Sequence, residues 1–203
     1  GGNSSVYGAT RGNANGIDMN RNYHDPEDGQ HPDGNPWQTE TVLFMDFADQ
    51  RDIVMSANFH GGAEVLNYPW DTWSQLAADD DWWQFVCREY ADTVHVYAPF
   101  GYLTDLDNGI SNGYQWYSIS GGRQDYMNYF HHCREVTLEI SSTKLPPASQ
   151  MPGFWDYNYR SLLNYMEQVL YGVRGVVTNS FNDNPVKAKV FVESHDIDES
   201  FIY

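Results

Sequence analysis

The chain has 203 residues and a formal net charge of −17, from 28 acidic and 11 basic side chains. Nucleic acid and anionic membrane surfaces would repel such an acidic chain, so neither is expected as a partner. The length suffices for one domain with a real core and the start of a second, and no apolar run reaches the ~18 residues that a membrane span requires.

The first third of the chain predicts loops, one helix and one strand. Residues 1–38 are rich in Gly, Asn, Asp and Pro, which indicates loops around a short strand. Apolar residues recur at helical spacing over 39–50, and the apolar run 53–57 then predicts a buried strand. His60 follows at the C-terminal end of this strand, where open α/β sheets hold their ligands. A lone histidine there is more often structural, but Gly61-Gly62 behind it would leave the imidazole uncovered.

The middle of the chain predicts a second strand, a second helix and a functional loop. Residues 65–68 form a short run that is typical of a strand. Three aspartates precede a helical pattern over 82–98, and the helix macrodipole favours acidic residues at that end. Residues 99–122 are mostly Gly, Asn, Asp, Ser and Tyr, which is typical of a long loop that carries function.

The last third predicts a strand and a long helix, followed by a change to β structure. Residues 135–141 alternate between polar and apolar side chains, as a half-buried strand does, and 154–171 predict a third helix. Residues 173–177 and 188–192 flank a turn signal at 182–185, which predicts a β-hairpin.

Two cysteines, Cys87 and Cys133, are too few to define a disulfide framework. They could pair in an oxidising compartment, but the sequence does not supply the geometry that a disulfide requires.

Two arginines, Arg11 and Arg21, lie in a loop rich in Gly and Asn. The planar guanidinium group donates two parallel hydrogen bonds, so arginine is suited to binding a carboxylate. The simpler interpretation is a pair of solvated surface arginines, which is less expected in a chain so poor in basic residues.

Four ordered motifs resemble those of the zinc metallocarboxypeptidases of the M14 family, and the resemblance covers residues 7–171. The motifs are Gly-Ile-Asp-Met-Asn-Arg-Asn at 16–22, Asn-Phe-His-Gly-Gly-Ala-Glu-Val-Leu-Asn-Tyr-Pro-Trp-Asp at 58–71, Trp-Tyr-Ser-Ile-Ser-Gly-Gly-Arg-Gln-Asp-Tyr at 116–126, and Thr-Leu-Glu at 137–139. The chain is most similar to the branch that includes carboxypeptidases D, E, M and N.

The resemblance implies an α/β fold for residues 1–171, with a mixed central sheet and helices on both faces. These residues would form the C-terminal part of a catalytic domain. Residues 172–203 would begin the transthyretin-like β-sandwich domain that follows the catalytic domain in this branch.

The resemblance also implies a zinc centre in which three of this chain's residues take part. His60 would be the last Zn²⁺ ligand, as a neutral imidazole at a strand end. Glu139 would be the general base that takes a proton from zinc-bound water. Arg11 would polarise the scissile carbonyl and stabilise the developing oxyanion.

Five further residues would bind substrate by the same comparison. Asn20 and Arg21 would bind the free C-terminal carboxylate, and Tyr117 would close over the substrate. Asp71 would lie at the base of the pocket for the terminal side chain and select Lys or Arg, and Gln124 would line the same pocket. The alternative for Asp71 is a turn residue, because aspartate is common in turns.

The first two zinc ligands of the family come from a His-x-x-Glu motif, which is expected upstream of Gly1. His24–Glu27 and His132–Glu135 have the same spacing, but neither lies where the family places its ligands. On a strand, moreover, residues i and i+3 point to opposite faces. The isolated chain is therefore expected to hold zinc poorly or not at all, and it could associate with its own N-terminal segment.

The leading functional hypothesis is a secreted or periplasmic zinc carboxypeptidase that acts on the C-termini of peptides or proteins and releases Lys or Arg. One alternative is a relative that trims cell-wall peptides or removes glutamate from acidic tails, although Asp71 opposes an acidic terminal side chain. Another is an inactive pseudopeptidase that serves as a peptide-binding or adhesion module. Glu139 argues against it, because a binding module would not need a general base.

Overall fold

A four-stranded mixed sheet lies at the centre of the chain. The computed structural model describes residues 9–197 and 200–202. The strands are β1 (Met55–His60), β2 (Ala63–Tyr68), β3 (Ile110–Asn112) and β4 (Arg134–Ser141), in the sheet order β1-β4-β2-β3. Strand β1 is parallel to β4, β2 is antiparallel to β4, and β3 is parallel to β2.

Six α-helical segments surround the sheet. They are α1 (Thr39–Asp49), α2 (Asp80–Tyr97), α3 (Asp105–Asn108), α4 (Gly113–Trp116), α5 (Arg123–His131) and α6 (Met151–Glu167), with 3₁₀ turns at Met19–Arg21, Ala148–Gln150 and Gln168–Leu170. None of the helices in the part of the chain that the structure describes is long and apolar enough to cross a bilayer. The helices predicted over 39–50, 82–98 and 154–171 are present, with boundaries that differ from the predicted ones by at most four residues.

The alternating side chains of β4 separate two layers of different character. Val136 and Leu138 belong to the larger apolar cluster, whereas Glu135, Thr137 and Glu139 point to the opposite face of the sheet. Because successive residues of a strand face opposite sides, the polar residues of β4 form a buried polar layer of their own.

The apolar face of the sheet is covered by α2 and α6. Helix α2 buries one stripe at helical spacing, formed by Trp83, Val86, Cys87, Tyr90, Ala91 and Val94. Its Tyr90 hydroxyl donates to Asn158 Oδ1 of α6 (3.0 Å), and Ser161 Oγ donates to the Tyr90 carbonyl (2.9 Å). These contacts satisfy the buried polar atoms between the two helices.

The opposite face carries a second, smaller apolar cluster and the two remaining long helices, α1 and α5. Met45 and Ala48 of α1 pack with Tyr126 and Met127 of α5, so the predicted mixed sheet with helices on both faces is confirmed. Cys133 belongs to this cluster whereas Cys87 lies in the other one, and both thiols are buried and free.

The C-terminal segment contains isolated bridges rather than long strands. The Val186 N–H donates to the Val177 carbonyl (2.9 Å), so the chain reverses at 182–185 where the sequence predicts a turn. Among the described residues, however, 173–177 and 188–192 do not pair with each other, and Val190 pairs with Ile202 instead. The assignment of 172–203 to a separate domain stays a prediction.

Candidate active site

Two strand ends bring His60 and Glu139 together. The residues are register partners in the parallel strands β1 and β4, and His60 Nδ1 lies 3.8 Å from Glu139 Oε1. Burial, and then the positive charges of Arg11 and Arg123, lower the pKa of His60 to about 4. The imidazole is therefore neutral near pH 7, so this contact is not an ion pair, and a neutral imidazole can bind a metal ion.

Glu139 is buried with part of its hydrogen-bonding capacity unused. The residue is 8% exposed, and its Oε2 atom has no hydrogen-bond partner among the described residues. Burial raises the pKa of Glu139 to about 7, against the opposing charges of Arg11 and Lys144. A buried carboxylate with a free oxygen and a raised pKa is suited to accept a proton near neutral pH.

A cleft of about 730 Å³ opens over these two side chains. Its lining includes Arg11, Arg21 and Tyr117, which sequence analysis placed in the site. Half of the Tyr117 surface is exposed. Lys144, which sequence analysis did not identify, lines the same cleft after the end of β4.

Asp18 connects Arg11 to the turn that carries Asn20 and Arg21. Its Oδ2 pairs with Arg11 Nε at 2.9 Å, and its Oδ1 accepts the Asn20 N–H at 3.0 Å. The second contact caps the short 3₁₀ turn Met19–Arg21, whose orphan N–H groups require an acceptor. Asp18 thus holds in place the loop that presents Asn20 and Arg21, although its role was not recognised from the sequence.

The amide of Asn20 is oriented by the first residue of α5. Its Oδ1 accepts the Arg123 backbone N–H at 2.9 Å, and Asn20 lines a small cavity beside the main cleft. The side-chain oxygen is thus used as an acceptor, and the Nδ2 atom forms no hydrogen bond with another described residue. Arg21 Nη1 donates to the Asn20 carbonyl at 2.6 Å. The two residues therefore offer donors to an anionic ligand.

Asp71 lies at the small cavity, which has a volume of about 30 Å³ and also borders His60 and Glu139. Asp71 is only 2% exposed, and its Oδ1 accepts hydrogen bonds from Asn67 Nδ2 (2.9 Å) and Gln124 Nε2 (3.2 Å). Burial raises the pKa of Asp71 to about 6, although the Asn67 hydrogen bond opposes this shift. Asp71 and Gln124, both predicted for one pocket, are thus in contact.

The backbone of Gly113 packs against the Asp71 carboxylate so closely that no side chain fits at position 113. A Cβ atom at Gly113 would lie 1.8 Å from Asp71 Oδ1 and 2.8 Å from Asn67 Oδ1. The carboxylate therefore occupies the space that any other residue at position 113 would fill.

The two other His-x-x-Glu segments have structural roles. His24 stacks on Phe130 with ring centroids 4.2 Å apart. Glu135 is fully buried and pairs with Arg123 at 2.8 Å, a contact that sequence analysis did not identify. Neither segment approaches His60 as a ligand set.

The described residues do not form a complete metal centre. In 9–197 and 200–202, no group of three His, Cys, Asp or Glu side chains is placed to hold a metal ion. His60 fits as one ligand of a zinc ion, because its imidazole is neutral and borders the cleft. A tetrahedral site would need further ligands from outside the described residues.

The expected source of those further ligands is not covered by the structure. Sequence analysis places two of them upstream of Gly1, and Gly1 itself lies outside the described residues. The described part of the chain therefore supplies His60 alone toward the three-ligand set that the resemblance implies. The position of the other two ligands stays a prediction.

Comparisons with known proteins agree on one family. The family model described as "Zinc carboxypeptidase" matches residues 3–161. Carboxypeptidase D of Drosophila melanogaster is 34% identical over 194 residues, which are 90% of this chain and 14% of that protein. Carboxypeptidase M of Mus musculus is 37% identical over 183 residues, which are 84% of this chain and 41% of that protein. This chain therefore spans less than half the length of these relatives.

A solved structure shows the same fold. The crystal structure of carboxypeptidase A from Helicoverpa armigera superposes with a TM-score of 0.62, over 75% of this chain and 41% of that one. At 14% sequence identity, this likeness shows the fold alone.

Proposed function

Because the chain belongs to the zinc carboxypeptidase family, we propose that the full-length protein is a zinc-dependent metallocarboxypeptidase that releases C-terminal Lys or Arg from peptides or proteins. The observation that carries the proposal is the pair formed by His60 and Glu139, whose side chains lie 3.8 Å apart at one cleft. The family implies Zn²⁺, and His60 would supply one of its ligands. When bound, zinc would act as a Lewis acid toward the scissile carbonyl.

The proposed chemistry assigns proton transfer to Glu139. Its Oε2 atom, which has no partner among the described residues, accepts a proton from the attacking water. The raised pKa keeps that proton available for the leaving amine. Arg11 borders the same cleft, where its guanidinium would stabilise negative charge that develops on the carbonyl oxygen.

The preference for a chain end is assigned to the loop around Asn20. The Nδ2 donor of Asn20 and the guanidinium of Arg21 would bind the terminal carboxylate, because charge-assisted hydrogen bonds to a carboxylate are strong. Tyr117 is exposed at the mouth of the cleft, from which it could close over a bound peptide.

The preference for Lys or Arg is assigned to Asp71. A buried carboxylate with two amide donors and no cationic partner within 4 Å among the described residues is costly, and a cationic side chain would relieve that cost. The cavity of about 30 Å³ is smaller than a Lys or Arg side chain, so the surrounding side chains would have to move apart before the terminal residue enters.

The test uses the full-length protein, loaded with zinc, and three peptides that share one sequence. Two have free C-termini and end in Arg or Leu, and the third ends in amidated Arg. We expect release of arginine from the first peptide, slow release of leucine from the second and no cleavage of the third. Removal of zinc by a chelator should abolish release. Binding of all peptides without any release would instead identify a pseudopeptidase.

A further inference from the structure

We propose that Asp125 is a positioning residue for the preference for basic side chains, because it holds the backbone of Asp71 and places a second buried carboxylate behind it. The inference deepens the proposed function and rests on it. Asp125 does not border the cleft or the small cavity, so it would act through Asp71 rather than through contact with substrate.

Three hydrogen bonds join Asp125 to the segment that carries Asp71. The Asp71 N–H donates to both carboxylate oxygens of Asp125, at 3.0 and 2.9 Å, and the Thr72 N–H donates to Oδ2 at 2.8 Å. Asp125 is 1% exposed. Charge-assisted hydrogen bonds from buried N–H groups are strong, so this carboxylate fixes the position of the Asp71 backbone.

Helix α5 contacts Asp71 through two consecutive residues. Gln124 donates to the Asp71 carboxylate, while Asp125 accepts from the Asp71 backbone. The first turn of one helix thus determines both where the carboxylate lies and how it is oriented. Movement of this turn would displace the pocket as a unit.

A third buried carboxylate, that of Asp25, acts on the same segment. Asp25 is 1% exposed, and its Oδ1 accepts the Thr72 hydroxyl at 3.1 Å while its Oδ2 accepts the Gly121 N–H at 2.8 Å. Both it and Arg21 act on Asp71 through their charges, with opposite signs. Burial, and then the charge of Asp71, raise the pKa of Asp125 as well.

This arrangement favours a cation over a neutral side chain. Buried carboxylates that lie close together repel one another, and a positive charge that binds beside them reduces this repulsion. Asp125→Asn keeps a carbonyl oxygen that can accept from the backbone but cannot carry a negative charge. We expect the ratio of kcat/KM for peptides ending in Arg over peptides ending in Leu to fall roughly tenfold, mainly through KM for the Arg peptide.

The control is Asp92→Asn, which removes one negative charge from an exposed position of α2. It should leave the ratio unchanged. A wild-type protein with no preference for Arg would overturn the proposed function and this inference together. A wild-type preference that D125N retains in full would overturn this inference alone.

A carboxyl NMR titration of the full-length protein measures the pKa of Asp71, which would not change if Asp125 had a purely structural role. The pKa of Asp71 should fall in D125N, because a neighbouring negative charge has been removed. An unchanged pKa would overturn the inference. If D125N does not fold, the same titration of the wild-type protein tests the inference. The Asp71 and Asp125 signals should each report the titration of the other, and independent titration would overturn the inference.

Discussion

His60 and Glu139 are partners across two adjacent parallel strands, and that register alone places an imidazole and a carboxylate 3.8 Å apart at one end of the sheet. Both side chains point to the polar face of the sheet, away from the apolar cluster under α2. Glu135 lies on the same face four residues earlier, where Arg123 neutralises it. One face of one strand therefore carries a carboxylate that is paired with an arginine and, among the described residues, one that is not.

Glu139→Gln should lower kcat by about 10²- to 10⁴-fold, because the general base is lost. KM should change little, since the side chain keeps its shape. Steady-state kinetics on a peptide ending in Arg will measure both constants. Glu135→Gln is the matched control. It should lower the free energy of unfolding by about 3 kcal/mol, since it breaks a buried ion pair, and it should spare kcat in the fraction that folds. Equal losses of kcat in the two variants would contradict the assignment of Glu139.

Arg21→Ala should raise KM roughly ten- to hundredfold for every free C-terminus, because it removes a charge-assisted contact to the terminal carboxylate. Arg11→Ala should instead act mainly on kcat, because the oxyanion that it stabilises exists only in the transition state. The opposite division between the two constants would exchange the two roles. Asp18→Asn, which loosens the loop that carries both arginines, should affect both constants.

Asp71→Ala should lose most activity on a peptide ending in Arg and keep or gain activity on one ending in Leu. Leaving a buried charge without its partner costs about 3–5 kcal/mol, which predicts that the wild-type protein prefers Arg by a hundredfold or more. The kcat/KM values of the two peptides will test this. Equal values in the wild-type protein would rule out the role of Asp71 without affecting that of Glu139.

Asp71→Asn should stabilise the protein in the absence of substrate. Burial raises the pKa of Asp71 to about 6, so the folded state binds this proton more tightly than the unfolded state does. The resulting stability is present below about pH 4 and is lost as the pH rises through about 6. The free energy of unfolding of the variant should therefore exceed that of the wild type by about 2–3 kcal/mol at pH 8 and by little at pH 4. Urea denaturation at both values will measure the difference, with Asp92→Asn as the control.

The main features of the fold follow from local patterns in the sequence. The alternation of 135–141 and the apolar run before His60 predicted two strands, and the structure pairs them. The four motifs predicted the family, which the family match confirms. Strand β3 and the helices α3, α4 and α5 were not predicted. Ile110–Asn112 is only three residues long, and the first half of α5 is rich in buried polar residues, so neither has the periodicity of its class.

The contacts that support the site could not be predicted from the sequence, because they join residues far apart in the chain. Arg123 lies in a predicted motif, yet nothing local indicates that its guanidinium pairs with Glu135 while its N–H orients Asn20. The hydrogen bonds that the Asp71 N–H donates to Asp125 likewise join residues more than fifty positions apart. Such partners are chosen by tertiary packing, and only the three-dimensional structure reveals them.

The close approach of Gly113 to Asp71 limits how this pocket could be redesigned. A methyl group at position 113 would overlap the Asp71 carboxylate. Any larger residue there would therefore displace Asp71 and destroy the pocket. Exchange of Asp71 for glutamate would meet the same obstacle from the other side. Libraries that aim at a new terminal side chain should therefore keep glycine at 113 and vary position 71 only toward residues no larger than aspartate.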